Sequence, residues 1–121
     1  MARTKITRDS VAAFYEWKRF KRSNTEVVVW ASLTNFYLFW NRIAIHDRQL
    51  WILYINHCWR TTYTTKERLN WILRKFKAWY IRQKNYLWYY ISENWNEQLF
   101  NNNRTIEIDL NRYIDFTFIN L

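Results

Sequence analysis

Few groups in this chain are suited to ligating a metal or attacking a substrate. The soft ligands available are His46, His57 and Cys58. Adjacent His57-Cys58 lacks the two-plus-two ligand spacing of a structural zinc site. Cys58 falls on an expected apolar helix stripe, so it reads as a core thiol and not as a nucleophile activated by a nearby base. Glu93 and Glu97 are spaced as a solvated i,i+4 pair rather than as an acid/base couple. The chain also contains no glycine and no proline. A phosphate-cradling loop or a dinucleotide turn relies on glycine to bring backbone amides close to a ligand, so neither can be built in its usual form. The expectation is a non-enzymatic protein with no cofactor and no metal.

Cations and aromatics give the stronger signal. Lys and Arg number 19 against 10 acids, for a net charge of +9, beside nine Trp, nine Tyr and eight Phe. Arg68, Lys75 and Arg82 recur at seven-residue spacing, with Arg74 beside them. On a continuous helix Trp71, Tyr86 and Tyr89 share their side, opposite an apolar stripe from Leu69 to Ile91. Such a face neutralises phosphates with its cations and stacks bases on its rings. The alternative is a solvated charged face, or a second protein interface.

Lys18, Arg19, Lys21 and Arg22 form a second cluster at the end of the first expected helix. Cations are also favoured there by the macrodipole alone. Arg3, Lys5 and Arg8 suit an arm lying along phosphates or in a groove, or an untethered tail. Charge is segregated. Residues 1–22 carry +5, residues 23–59 are neutral, residues 60–84 carry +7 and residues 85–121 carry −3. A neutral apolar middle between basic segments points to a core that presents positive charge to a polyanion.

Hydrophobic periodicity predicts a mainly α, four-helix, bundle-like domain with a long fourth helix and a C-terminal β-hairpin. Residues 1–8 are the basic N-terminal arm and residues 9–100 the helical domain. Residues 104–121 are the hairpin, part of the same domain or a subunit-pairing element. The first helix is expected over about 9–22, with Val11, Phe14 and Trp17 inward. The second covers about 26–43, although Val27-Val28-Val29 also suits a short strand. The third covers about 47–59 after an Asp47 cap. The fourth starts at a Thr64/Glu67 capping box and reaches Leu99 or breaks near Asn85. Alternation over Ile106–Leu110 and Ile114–Phe118 marks the hairpin. No internal repeat is evident. One cysteine excludes an intramolecular disulfide, and Met1–Ser10 has no apolar signal-peptide core, so an intracellular or virion setting is expected. The apolar run Val27–Ile45 is interrupted by polar residues and reads as core, not as a membrane span.

The stretch Asp9–Phe14, followed by Val29–Leu33, Tyr37 and Trp40, resembles the winged-helix-like C-terminal domain of phage- and poxvirus-type primase-helicases. That resemblance implies DNA contact through the third helix, with Arg48 and Gln49 near its start. In size and character the chain is also similar to small basic nucleocapsid proteins of filamentous archaeal viruses. Thirteen Asn and the shortage of Gly and Pro suggest an AT-rich coding bias, as in viruses and mobile elements. The expected function is a non-catalytic nucleic-acid-binding protein of such an element. It would be an oligomer that coats or organises DNA, more than RNA, mainly through phosphates. The alternatives are a sequence-reading winged-helix-like replication module and an assembly protein with incidental charge.

Overall fold

The computed structural model describes residues 2–100 and 104–113. Among them the chain forms two α-helices and nine strands, not a four-helix bundle. Helix α1 (Ala2–Tyr15) leads into strands β1 (Phe20–Arg22), β2 (Thr25–Trp30), β3 (Leu33–Leu38), β4 (Asn41–Asp47) and β5 (Ile52–Ile55). Helix α2 (Tyr63–Lys75) is followed by β6 (Tyr80–Lys84), β7 (Leu87–Ile91), β8 (Glu97–Leu99) and β9 (Ile106–Asp109), with a 3-10 turn over Leu110–Tyr113.

The segments expected as the second and third helices are thus strands β2 to β5. Val27, Phe36, Ala44, Ile55 and Ile106 lie opposite one another across the antiparallel ladders of a sheet ordered β1-β2-β3-β4-β5-β9. All five are buried, while their neighbours Glu26, Val28 and Glu107 project to the other face, as a period of two demands. A register shift at Phe36/Tyr37 lets both Ile43 and Ala44 turn inward. The expected long fourth helix ends at Lys75, and the rest of that span is a separate sheet, β6-β7-β8. Strand β9 pairs with β5. The second arm of the expected C-terminal hairpin lies outside the described residues.

Residues 2–8, expected as an arm, belong to α1. Its buried stripe is Thr7, Ser10, Val11 and Phe14, the i, i+3, i+4, i+7 spacing of a helix face. Ser10 Oγ satisfies itself by donating to the Thr7 carbonyl at 3.0 Å. Helix α2 starts two residues earlier than its capping box suggests. Thr62 is the N-cap, its Oγ1 accepting from the Thr65 amide at 3.3 Å. Glu67 turns instead to Arg68 Nη1 at 2.7 Å and Thr7 Oγ1 at 3.1 Å. Its inward residues Leu69, Ile72, Leu73 and Phe76 follow the predicted stripe.

The two helices end in the same way, sixty residues apart. Lys18 N–H donates to the Ala13 carbonyl at 2.9 Å and Ala78 N–H to the Leu73 carbonyl at 2.8 Å. In each case the residue just past the cap, Trp17 (φ 63°) or Lys77 (φ 56°), is left-handed. This is the Schellman return that glycine usually provides. Each exit feeds an antiparallel hairpin, β1-β2 or β6-β7. A helix–hairpin unit is therefore repeated in three dimensions where the sequence shows no repeat. The helices run parallel: Thr7 meets Glu67 near one end, and the Tyr15 and Phe76 rings lie 5.0 Å apart at the other. Phe14 fixes this layer on the sheet, 5.7 Å from Phe36 and 5.8 Å from Phe76 in edge contacts. In the second sheet Tyr90 Oη donates to the Ala78 carbonyl at 2.6 Å, tying β7 to the exit of α2.

Candidate nucleic-acid interface

Residues 2–22 carry seven Lys/Arg against Asp9 and Glu16, and residues 63–77 carry five against Glu67. Together these two stretches hold +9, which equals the net charge of the whole chain. The fold brings them side by side through the α1–α2 contact. The outer face of the large sheet instead carries Glu26, Asp47, Glu107 and Asp109 beside Lys21 and Arg42.

The residues predicted to share one helix face are divided. Arg68 is 1% exposed and holds α1, α2 and β2 together through Glu67, Thr7 and Thr25. It is inaccessible to phosphate. Trp71 is half-buried on α2 with the Arg74 guanidinium 5.4 Å from its ring centroid. Lys75 ends α2, its Nζ lying 5.2 Å from the Tyr15 ring. Arg82 and Tyr89 are cross-strand neighbours in β6 and β7, Arg82 reaching Glu97 at 3.7 Å, and Tyr86 stands exposed at the turn between them. Among the others, Arg3, Lys5 and Arg8 lie on α1, and Lys18 and Arg19 lie in its exit. Lys21 is on the outer sheet face, and Arg22 is 3.5 Å from Asp9.

Two concavities flank the C-terminal end of α2, and Lys77 lines both. One, of about 550 Å³, is bounded by Asn70, Arg74, Lys77, Trp79 and Tyr80. The other, of about 320 Å³, is bounded by Tyr15, Trp17, His46, Trp51, Lys75, Phe76, Lys77 and Leu110. Arg48 holds one wall. Its Nε donates to the Ser32 carbonyl at 3.1 Å while its guanidinium lies 4.8 Å from the Trp17 ring. His46 forms the floor, its ring 4.8 Å from Phe76 and 5.9 Å from Trp51. Burial, reinforced by the Arg48 charge, lowers its pKa to about 4, so the imidazole is neutral at physiological pH. The sequence offers His46 only as a soft metal ligand, not as a cleft residue, and Lys77 only as one more cation on an apparently continuing helix.

The remaining candidates are structural. His57 accepts the Trp59 amide on Nδ1 at 3.1 Å and lies 3.1 Å from the Phe100 carbonyl through Nε2, which places its proton on Nε2. Burial lowers its pKa and raises that of Cys58, whose Sγ donates to the Arg42 carbonyl at 3.1 Å. The thiol is therefore unactivated, but it sits in a left-handed turn (φ 55°) after β5, not on a helix stripe. No group of three or more His, Cys, Asp or Glu able to hold a metal occurs among the described residues.

A family model described as Kyanoviridae Gp96 protein matches residues 3–107. The chain belongs to this family. It is thereby a viral protein of phage type. No curated protein and no solved structure matches it. The expected likeness to a primase-helicase domain or an archaeal nucleocapsid finds no support. The residues carrying the first lie on α1 and on strands β2 and β3, and Arg48-Gln49 form a turn, so the DNA-reading third helix does not exist. Among the described residues, no helix is long and apolar enough to cross a membrane.

Proposed function

We propose that this phage-family protein binds nucleic acid, DNA above all, without catalysis and chiefly through phosphates. The docking face would be the layer formed by α1, α2 and their exits. The observation that supports this reading is that the chain's whole net charge lies in the two stretches the fold packs side by side. Lys5, Arg8, Lys18, Arg19, Arg74, Lys75 and Lys77 supply the exposed cations. Aromatic groups interleave them at Tyr15, Trp17, Trp71 and Trp79, the combination that suits a polyanion with stackable bases.

Affinity for a labelled DNA duplex and for a single strand of the same sequence, measured across a salt series, tests this. Log affinity should fall linearly with log salt, by about 0.9 per phosphate neutralised on a duplex. The triple variant R74E/K75E/K77E should remove about three phosphate contacts from the slope. Binding that is insensitive to salt, or unchanged in the triple variant, would discard the face.

A second reading, protein assembly, is favoured by the other side of the molecule. Trp30 and Leu33 are cross-strand neighbours on the outer face of the large sheet, Trp30 being 72% exposed, and their row continues through Asp47 to Ile52. Size measured with and without DNA separates this from coating of a polymer.

A further inference from the structure

The smaller concavity holds a combination that phosphate binding leaves unused. His46 is 2% exposed, it lines the cleft, and neither of its ring nitrogens has a hydrogen-bond partner among the described residues. A buried polar group without a partner costs free energy that a bound ligand can recover. The neutral ring offers one donor and one acceptor. The surrounding walls are aromatic (Tyr15, Trp17, Trp51, Phe76), and Lys75 and Lys77 stand at the rim with no acid paired to either among the described residues. Glu16, the acid of the neighbouring exit, is held by Lys18 at 3.2 Å.

Each element narrows the ligand. A bare phosphate would leave the aromatic walls and His46 unused, and a purely apolar ring would leave the imidazole nitrogens unsatisfied. A flat ring with a polar, uncharged edge and a linked anion uses all three. The cleft's 320 Å³ is of ligand-pocket size.

We propose that this cleft takes an unpaired nucleobase and its phosphate, the base stacking on the tryptophan walls, its edge bonding His46 and its phosphate meeting Lys75 and Lys77. The proposal rests on the nucleic-acid reading for its ligand class alone, since a free nucleotide and a base in a single strand share this chemistry. Arg48 acts as a positioning residue that fixes Trp17.

The chain has two histidines, so a proton–carbon spectrum selecting imidazole Cε1–H groups contains two signals. Loss of one in H46F assigns it. The His57 signal, held between the Phe100 carbonyl and the Trp59 amide, reports that the variant is folded. Titration with AMP and UMP, then with a short oligodeoxythymidylate, should shift the His46 signal saturably and leave that of His57 in place. H46F should weaken nucleotide binding about tenfold, the loss of one hydrogen bond to a buried group. A shift with AMP or UMP places the site within reach of free nucleotides, whereas a shift with the oligonucleotide alone assigns it to a strand. A His46 signal that stays motionless with AMP, with UMP and at saturating oligonucleotide alike overturns the cleft while leaving the charged face standing. Nucleotide binding at His46 in a protein that ignores duplex and single-stranded DNA keeps the cleft and overturns the face.

Discussion

Six of the nine tryptophans adopt a left-handed backbone: Trp17, Trp40, Trp51, Trp59, Trp79 and Trp95, with φ between 56° and 73°. These are the conformations glycine adopts at least cost, and a bulky side chain there costs about 1 kcal/mol or more. Trp40 is the clearest case, being 85% exposed at φ 69° in the two-residue turn between β3 and β4. Trp40→Gly is expected to raise stability by roughly 1 kcal/mol, less a few tenths lost to the freer unfolded chain. Trp30 is nearly as exposed but sits in extended strand β2, so Trp30→Gly should destabilise instead. Urea midpoints of the two variants decide the matter, and equal shifts of one sign would refute the backbone explanation. His46 supplies a second prediction at this scale. Its pKa is about 4 in the fold against 6.5 in the unfolded chain, so between these values the unfolded state binds the extra proton. Stability from this group is complete above about pH 6.5 and drains away as pH falls toward 4. At about 1.4 kcal/mol per tenfold difference in proton affinity the loss is on the order of 3 kcal/mol. His57, also lowered, adds in the same direction. Unfolding curves of H46F between pH 7 and 4 should be flatter than those of the unaltered protein.

At the scale of elements, the sequence was misread where glycine would have punctuated it. The two-residue hairpin turns fall at Ser23-Asn24, Ala31-Ser32, Phe39-Trp40 and Asn85-Tyr86. Sequence patterning leaves Ser23-Asn24 between the first two expected helices and allows a break near Asn85, but it runs the second helix through Ala31-Ser32 and Phe39-Trp40, which lack the Gly or Pro that marks a break. With the turns hidden, alternation inside β2 to β5 passed for a helical stripe. The seven-residue spacing of Arg68, Lys75 and Arg82 is a coincidence that runs from a helix into a strand. The start of α1 was missed for a different reason: its inward face begins with Thr7 and Ser10, hydroxyls satisfied within the fold. What did carry over was the pattern that depends on local spacing alone, namely the α2 stripe from Leu69 to Phe76, whereas of the basic cluster expected at the end of the first helix Lys21 and Arg22 lie on β1. Arg68 tests the joint between elements. Arg68 is the buried member of its pair with the half-buried Glu67, so Arg68→Ala should cost about 3–5 kcal/mol by breaking that pair and the bonds to Thr7 and Thr25. The double variant R68M/E67Q should cost far less. Thermal melts of the two variants measure the difference, and a neutral R68A would show that the pair does not join the helices.

For the whole molecule, the question is whether net charge or its placement decides the partner. A generic basic protein would lose affinity in proportion to the charge removed, wherever it is removed. The two-sided distribution described above predicts otherwise, because fields from acids and cations within a Debye length of about 8–10 Å largely cancel. Arg82 faces Glu97 at 3.7 Å, whereas Arg74 and Lys77 line a concavity with no acid among its bounding residues. The charge-matched variants R82E/K84E and R74E/K77E change the net charge identically. The second should lose roughly tenfold or more in DNA affinity at low salt, with about two phosphate contacts removed from the salt slope. The first should lose much less and keep the slope. Equal losses would mean that the charge acts as a diffuse cloud, leaving the helical layer with no privileged role. A preferential loss in R74E/K77E would fix the orientation in which the strand meets the protein, with the exits of α1 and α2 against the phosphates and the acidic outer face of the sheet turned away.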